Sequence, residues 1–284
     1  MIDYSKTDYV FQADNLEILK SIPSGSVQLV YIDPPFNTGK TQKRESIRTV
    51  RSETGERKGF KGQSYESIRE SVTSYKDSFT DYWGFLSPRL EEAWRILHDS
   101  GTLYLHLDYR EVHYAKVMLD GLFGKDNFLN EIIWAYDYGA RSTKRWPAKH
   151  DNILVYSKSP GYYFNSKEVD REPYMAPGLV TPEKAERGKL PTDVWWHTIV
   201  SPTGKEKTGY ATQKPEGILR RIIMASSQSG DLVVDFFAGS GTTGAVAKKL
   251  QRRFVLVDEN PEAIKIIKKR LDAITSERET EVVI

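Results

Sequence analysis

Between residues 27 and 32 apolar side chains run almost without a break (Val27, Leu29, Val30, Tyr31, Ile32). They then stop at an acid, two prolines, an aromatic and a set of turn formers, so that residues 31–40 read YIDPPFNTGK. A short apolar run bounded by turn signals predicts a buried strand. Pro34 and Pro35 lack a ladder donor and restrict the residue before them, which ends the strand and stiffens the turn. Asp33 therefore sits at the carboxyl edge of a strand, where open α/β sheets bind their ligands. A rigid carboxylate, a fixed backbone carbonyl and the neighbouring ring of Phe36 outline a pocket for a flat molecule bearing an amino group.

The same pattern predicts the other elements. A helix is expected over 16–22, with Asp14 in the position of its cap. An amphipathic helix is expected over 79–97, broken or started at Pro88, then a strand over 102–107 and a helix over 109–123. Residues 130–138 are aromatic, and 153–156 read as a short strand. From 157 to 208 the pattern loosens around prolines 160, 173, 177, 182, 191 and 202, except at Val194-Trp195-Trp196. Such large apolar residues need something to pack on, so this stretch reads as an irregular inserted subdomain rather than a linker. A helix over 216–226, a strand over 232–236, a helix over 245–250, a strand over 254–257 and a helix over 262–271 close the chain, and the last dozen polar residues read as frayed. Tyr31, Trp134, Trp195 and Trp196 read as packing residues.

The second chemical signal lies in that closing unit. A strand leads into Asp235-Phe236-Phe237-Ala238-Gly239-Ser240-Gly241-Thr242-Thr243-Gly244, a helix follows, and the next strand ends in Asp258. Glycines let a ligand approach the backbone, a helix N-terminus favours negative charge, and an acid after the next strand suits ribose hydroxyls. Gly244 is followed by Ala245 rather than the lysine a phosphate-binding P-loop needs, and GSGTTG is not GxGxxG. A cofactor with a ribose and a charged amino-acid end fits better than one with a pyrophosphate, which favours S-adenosyl-L-methionine.

Composition narrows the picture. The 284 residues can bury a full core, and 39% hydrophobic with 28% charged residues reads as globular. The chain shows no long apolar run and no leader, so a cytoplasmic protein without a membrane span is expected. Zero cysteines removes disulfides, thiol nucleophiles and cysteine-bound zinc; the five histidines are scattered without HExxH, and no metal site is expected. Net charge is only +2, but residues 40–61 hold eight Lys/Arg against three Glu, and a second cluster comprises Arg141, Lys144, Arg145 and Lys149. Such patches suit a phosphate backbone. Residues 40–64 show no periodicity and read as a mobile loop beside the Asp33 site.

DPPF at 33–36 and DFFAGSGTT at 235–243, in that order and with GYATQKPE at 209–216 leading into the second, resemble the motifs of the beta group of DNA amino-methyltransferases. The resemblance runs from about residue 10 to 272 and thins in 40–64 and 160–205. It implies a Rossmann-like methyltransferase fold of class α/β, with a mostly parallel seven-stranded sheet and an inserted target-recognition region. The implied layout is a catalytic part at 1–157, recognition at 158–208 and a cofactor part at 209–284. It implies methyl transfer from S-adenosyl-L-methionine to N6 of adenine or N4 of cytosine in double-stranded DNA, with DPPF leaning toward adenine. Asp33 and the Pro34 carbonyl would accept the hydrogens of the target amine, and Phe36 would stack on the extruded base. Asp14, Lys214, Asp235, Phe237, Gly239, Ser240, Gly241, Thr242 and Asp258, with Asp33, would surround the cofactor. Lys40, Lys43, Arg44, Arg141, Lys144, Arg145 and Lys149 would meet phosphates. Homodimers and a separately acting restriction endonuclease are common partners of such enzymes. An RNA or protein-amide methyltransferase, and a DNA-binding protein that kept the fold without the activity, stay open. The loop departs from its commonest form in carrying phenylalanine where proline is usual, and Phe36 replaces the commoner tyrosine.

Overall fold

In a computed structural model the described residues are 4, 7–38, 40–51, 57–58, 64–77, 79, 81–139, 141–201, 203–276 and 278–284, with the strands between 40 and 77 described by their backbone alone. In chain order the elements are β1 (Asp8–Phe11), α1 (Asn15–Ser21), β2 (Val27–Ile32), β3 (Lys40–Arg51), β4 (Arg57–Lys58), β5 (Ser64–Asp77), α2 (Tyr82–Ile96) and β6 (Leu97–Leu107). They continue as α3 (Val112–Phe123), β7 (Phe128–Ala135), β8 (His150–Ser157), α4 (Pro182–Arg187), β9 (Val194–Trp196), α5 (Glu216–Ser226), β10 (Leu232–Asp235), α6 (Thr242–Lys249), β11 (Arg253–Val257), α7 (Pro261–Asp272) and β12 (Thr280–Val283).

The chain forms two compact units, one of Met1–Phe36 with Asp81–Ile284 and one of Asn37–Thr80. The first is built on a nine-stranded sheet in the order β12-β1-β11-β10-β2-β6-β8-β7-β9. Strands β12 through β6 run parallel, β8 opposes both β6 and β7, and β9 runs parallel to β7. Parallel strands are covered on both faces, which is why β2, β10 and β11 read as unbroken apolar runs. Leu29, Tyr31, Val233, Phe254 and Leu256 pack on one face with Ile218, Leu219 and Ile222 of α5, all buried.

The sheet has nine strands where the resemblance implied seven, and both additions lie at its edges. β12 pairs in parallel with β1, so the final residues are a strand and not a frayed tail. Val282 packs against the core there, an anchor that a short polar segment hides. β9 is the Val194-Trp195-Trp196 group, which registers on Ile133–Ala135 of β7, with Trp195 buried and Trp196 exposed. Its packing partner is thus the main sheet, and residues 158–208 belong to the first unit rather than to a separate subdomain.

Two further expectations change. Pro88 lies inside α2, which runs unbroken from its Asp81 cap to Ile96. The stretch expected to lack regular structure forms, in its described residues, the antiparallel sheet β3-β5-β4 of the second unit. Residues 40–51 read KTQKRESIRTVR, with Ile47 and Val50 as the aliphatic positions, so no period-2 hydrophobic pattern marks the strand.

Candidate functional site

β2 and β10 are adjacent (Val233 beside Leu29, Val234 beside Val30), and their following connections leave in opposite directions along the sheet. That is the topological switch point of a doubly wound sheet, where a crevice opens beyond the strand ends. The Asp33 turn leaves β2 there, and the glycine loop leaves β10 beside it.

Asp33 is held from one side only. Lys214 Nζ lies 2.5 Å from its Oδ2, and both side chains are largely buried. Oδ1 is buried and has no hydrogen-bond partner among the described residues. A buried charge-assisted pair of this length fixes the carboxylate's orientation. Pro34 is buried, and the Phe36 ring packs 5.9 Å from the His106 ring and 5.1 Å from Lys214 Nζ. His106, wholly buried near the end of β6, is within 2.9 Å of the Tyr31 hydroxyl through Nδ1 and 3.2 Å of Asp151 Oδ2 through Nε2. The Tyr136 hydroxyl donates to Asp151 Oδ1 at 3.2 Å.

Lys214 also joins this turn to the glycine loop. Its carbonyl accepts from Thr242 Oγ1 at 3.0 Å, and Thr242 Oγ1 in turn accepts from Arg270 Nη1 at 2.9 Å. Ser240 Oγ lies 3.2 Å from Thr242 Oγ1, and its carbonyl accepts from Arg270. Gly239 (φ +49°) and Gly241 (φ +70°) carry the left-handed conformations that let the loop fold over the helix start. Asp258 Oδ2 accepts the Gly239 amide at 2.8 Å and its Oδ1 the Asn260 amide at 2.9 Å, which leaves further lone pairs of the carboxylate for hydroxyl donors.

Asp235 does not face outward as a contact group. Its oxygens accept from the Phe237 amide (3.0 Å) and from Thr243 Oγ1 (2.6 Å), so it braces the loop from beneath. Burial first, and then the charges of Asp33 and Asp258, push its carboxyl up to about 7 against the hydrogen bonds that lower it. Burial likewise raises Asp258 to about 6. Because the folded-state value for Asp235 lies above its ordinary 3.8, the stability it contributes is complete below that value. It is lost as pH rises through about 7, on the order of 4 kcal/mol across the interval. Asp235→Asn keeps both acceptor geometry and shape, since the Thr243 hydroxyl can turn to accept. Thermal unfolding compared at about pH 5 and about pH 8 is expected to show the wild type losing ground to this variant as pH rises.

Asp14 caps α1 through the Leu16 amide (2.7 Å) and pairs with Arg89 at 3.2 Å. The start of α1 still borders the loop, because Asn15 Nδ2 donates to the Phe236 carbonyl at 2.7 Å, and α2 borders it through Phe85, 5.9 Å from Phe237. Arg141, Lys144 and Arg145 are exposed beside Trp146, which is 95% exposed, while Lys149 is half-buried and 3.9 Å from Asp137. The side chains of Lys40, Lys43 and Arg44 lie outside the described residues.

Sequence reasoning missed Asn15, Arg89, His106 and Asp151. For His106 a signal existed: it is a lone imidazole within the apolar run 103–107, where a buried polar group needs partners. Asp151 acquires its role only through the pairing of His106 with Ile153, two residues along β8.

A doubly wound sheet with these two turns at its switch point defines the Rossmann-like methyltransferase fold. The sequence model of the N6/N4 DNA methylase family matches residues 27–269. The type II methyltransferase M.HpaI of Haemophilus parainfluenzae is 30% identical over 258 residues, covering 91% of this chain and 72% of that protein. The DNA adenine methyltransferase YhdJ of Escherichia coli (strain K12) is 30% identical over 272 residues, covering 93% and 82%. Among solved structures, the complex of M1.HpyAVI with SAM superposes with a TM-score of 0.59 at 21% identity, covering 93% of this chain and 98% of that one. The cytosine-N4-specific PvuII DNA methyltransferase gives 0.62 at 16% identity, covering 95% and 91%. The chain belongs to the DNA methylase family. No helix among the described residues is long and apolar enough to cross a membrane.

Proposed function

We propose that this chain methylates N6 of an adenine flipped out of duplex DNA, with S-adenosyl-L-methionine as methyl donor. The observation that carries the reading is the asymmetric Asp33 carboxylate at the switch point: one oxygen is held by Lys214, which lies over the Phe36 ring, and the other is buried and without a hydrogen-bond partner among the described residues. The base choice is supported by the DPPF form of the turn and by the relative named as an adenine methyltransferase.

The crevice fits the donor. Asp258 keeps acceptor capacity for ribose hydroxyls. Lys214 spends one of three ammonium hydrogens on Asp33, which leaves two for a cofactor carboxylate. The glycine turn admits a close backbone approach, and the Asp14 end of α1 lies within reach of the loop. When bound, the cofactor supplies an electrophilic methyl group.

The chain's own residues do the rest. The target amine is a weak nucleophile because its lone pair is delocalised into the ring. Asp33 Oδ1 and the Pro34 carbonyl accept its two hydrogens and favour the tetrahedral nitrogen that can attack, so the rate gain comes from positioning and preorganised polarity. Without cysteine the chain has no thiolate for covalent attack on a cytosine ring. A base inside a duplex cannot reach a recessed strand end, so extrusion is required, and Phe36 offers a stacking surface in return. Arg141, Lys144, Arg145 and the 158–208 region are assigned to phosphate and base contacts.

Lys214→Ala frees Asp33 to rotate and removes the ammonium from the cofactor side. Both kcat and cofactor affinity are expected to fall by about 10- to 100-fold, the worth of one charged hydrogen bond, in steady-state kinetics and calorimetry. The function itself is tested by incubating unmethylated duplex with methyl-labelled cofactor and chromatographing the nucleosides. Label in N6-methyl-2′-deoxyadenosine supports the reading, label in N4-methyl-2′-deoxycytidine replaces the base, and DNA left unlabelled while RNA or protein offered in parallel takes up label overturns it.

A further inference from the structure

We propose that His106 takes up the proton shed by the methylated amine, receiving it through Asp33 and holding it against Asp151. The inference rests on the methyl-transfer reading of the site and adds to it the fate of the proton.

Amine methylation makes a cation that must lose a proton. The nitrogen lone pair forms the new N–C bond as the S–C bond breaks, and the sulfur keeps that electron pair as a thioether. The nitrogen is left positively charged with both of its hydrogens. One of them must leave as a proton before the methylated base can be released neutral. The first acceptor in reach is Asp33 Oδ1, the buried oxygen without a partner. Its other oxygen is already hydrogen-bonded to Lys214 Nζ.

His106 is built to take it onward. Its Nδ1 lies 4.0 Å from Asp33 Oδ1, and an adjustment of about 1 Å brings the two into hydrogen-bond range. On the far side of the ring, Nε2 is 3.2 Å from Asp151 Oδ2. Asp151 is held below the ordinary carboxylate range: burial alone would raise it, but the hydrogen bonds from His106 and Tyr136 and the nearby charge of Lys214 outweigh that. An ionised Asp151 only accepts, so Nε2 carries the hydrogen and Nδ1 is the nitrogen with a free lone pair. In the resting chain that lone pair takes the Tyr31 hydroxyl at 2.9 Å, whose phenol is kept protonated by burial and by the neighbouring carboxylates. When the proton arrives from Asp33, the Tyr31 rotor turns away, Nδ1 becomes protonated, and the imidazolium lies between two carboxylates.

The geometry favours this over a packing role. A wholly buried histidine that merely filled the core would not have one carboxylate hydrogen-bonded to Nε2 and a second 4.0 Å from Nδ1. The titratable and charged groups around it are Tyr31, Asp33 with Lys214 behind it, and Asp151 with Tyr136; Asp108, paired with Arg110, lies beyond. The remaining walls are the rings of Phe36 and Trp134, at 5.9 and 5.5 Å.

The test is single-turnover methyl transfer to unmethylated duplex by wild type, His106→Gln, Asp151→Asn and Tyr31→Phe, across about pH 5.5 to about 9 in H2O and D2O, with cofactor affinity measured in parallel. His106→Gln is expected to bind cofactor within about threefold of wild type, to lose about 100-fold in the transfer rate and to lose the acidic limb of the pH profile. Asp151→Asn, an isosteric change that serves if the glutamine variant does not fold, is expected to move the acidic limb to lower pH and slow transfer about tenfold. Tyr31→Phe, which removes only the competing donor, is expected to stay within about threefold of wild type. A His106→Gln protein with the wild-type rate overturns the proposal. So does one that is slower but keeps the wild-type pH profile and solvent isotope effect, because that marks a packing role. Failure of the wild type to methylate DNA under conditions where it binds the cofactor overturns the site reading and the relay with it.

Discussion

Asp33→Ala is expected to lower kcat for DNA methylation by on the order of a thousandfold or more while the chain stays folded and still binds its cofactor. The residue contributes little to packing, since it lies in the turn after β2 with its side chain over the open end of the sheet. Removing it has two opposed effects on stability. Lys214 loses its partner at a site where it is only 12% exposed, which costs on the order of 1–3 kcal/mol. In return the buried Asp235 loses a like-charged neighbour that raises its carboxyl. The melting temperature should therefore move by only a few degrees, whereas the reaction loses one of the two acceptors aimed at the target amine. Single-turnover rates, cofactor calorimetry and thermal unfolding on the same preparation separate these terms. A variant that binds cofactor and retains more than about a tenth of wild-type kcat would remove Asp33 from the mechanism.

The second large effect is expected at Gly241. Its φ of +70° is one an L side chain rarely adopts, and a Cβ built there would lie 2.8 Å from Ile267 Cγ1 of α7. Gly241→Ala therefore combines left-handed strain with overpacking against a fully buried isoleucine, together about 2–4 kcal/mol of stability. The distortion falls at the start of α6, where Thr242 ties the loop to Lys214, so cofactor affinity should drop at least about tenfold as well. Gly230 supplies the control. It has φ +86° with nothing within 4 Å of a built Cβ, so Gly230→Ala should cost only the strain, about 1–2 kcal/mol, and leave cofactor binding unchanged. Denaturant titration and calorimetry read both quantities; equal losses at the two positions would show that the Ile267 contact is not what makes Gly241 necessary.

How much of this could be read from the chain depends on how local the cause is. The β2 strand and its diproline turn and the helix Glu216–Ser226 are set by turn chemistry and periodicity within a few residues and stand where the pattern placed them, whereas the helix expected over 245–250 runs Thr242–Lys249 and so begins inside the glycine loop. The edge strands β9 and β12 were hidden because a strand of three or four residues is defined by its partner. β12 finds that partner at the opposite end of the chain. Pro88 misled for a related reason: helix α2 is held by the burial of Leu86, Leu90, Ala93 and Ile96, which outweighs a missing backbone donor. The charged loop of 40–64 gave no hydrophobic period, and its strands β3 and β4 both pair with β5, which begins at Ser64.

The site divides along the same line. Asp33, Pro34, Phe36 and the glycine loop were legible because rigid turns and glycines have few other uses in that order. Asp235 was legible as important but not in its role, since only the fold shows its oxygens turned inward to Thr243 and Phe237. Asp14 was readable as a helix cap, and its pairing with Arg89 required the packing of α1 on α2. The His106–Asp151 pair needed the antiparallel register of β6 on β8, which no local rule supplies.

The most direct test of the central claim is single-molecule sequencing of DNA from a methylation-free host expressing this chain or its Asp33→Ala variant. N6-methyladenine is expected at one short recurring sequence with the wild type and nowhere with the variant. Unmodified DNA from cells holding soluble, cofactor-binding wild-type protein, or marks that persist in the variant, would contradict it.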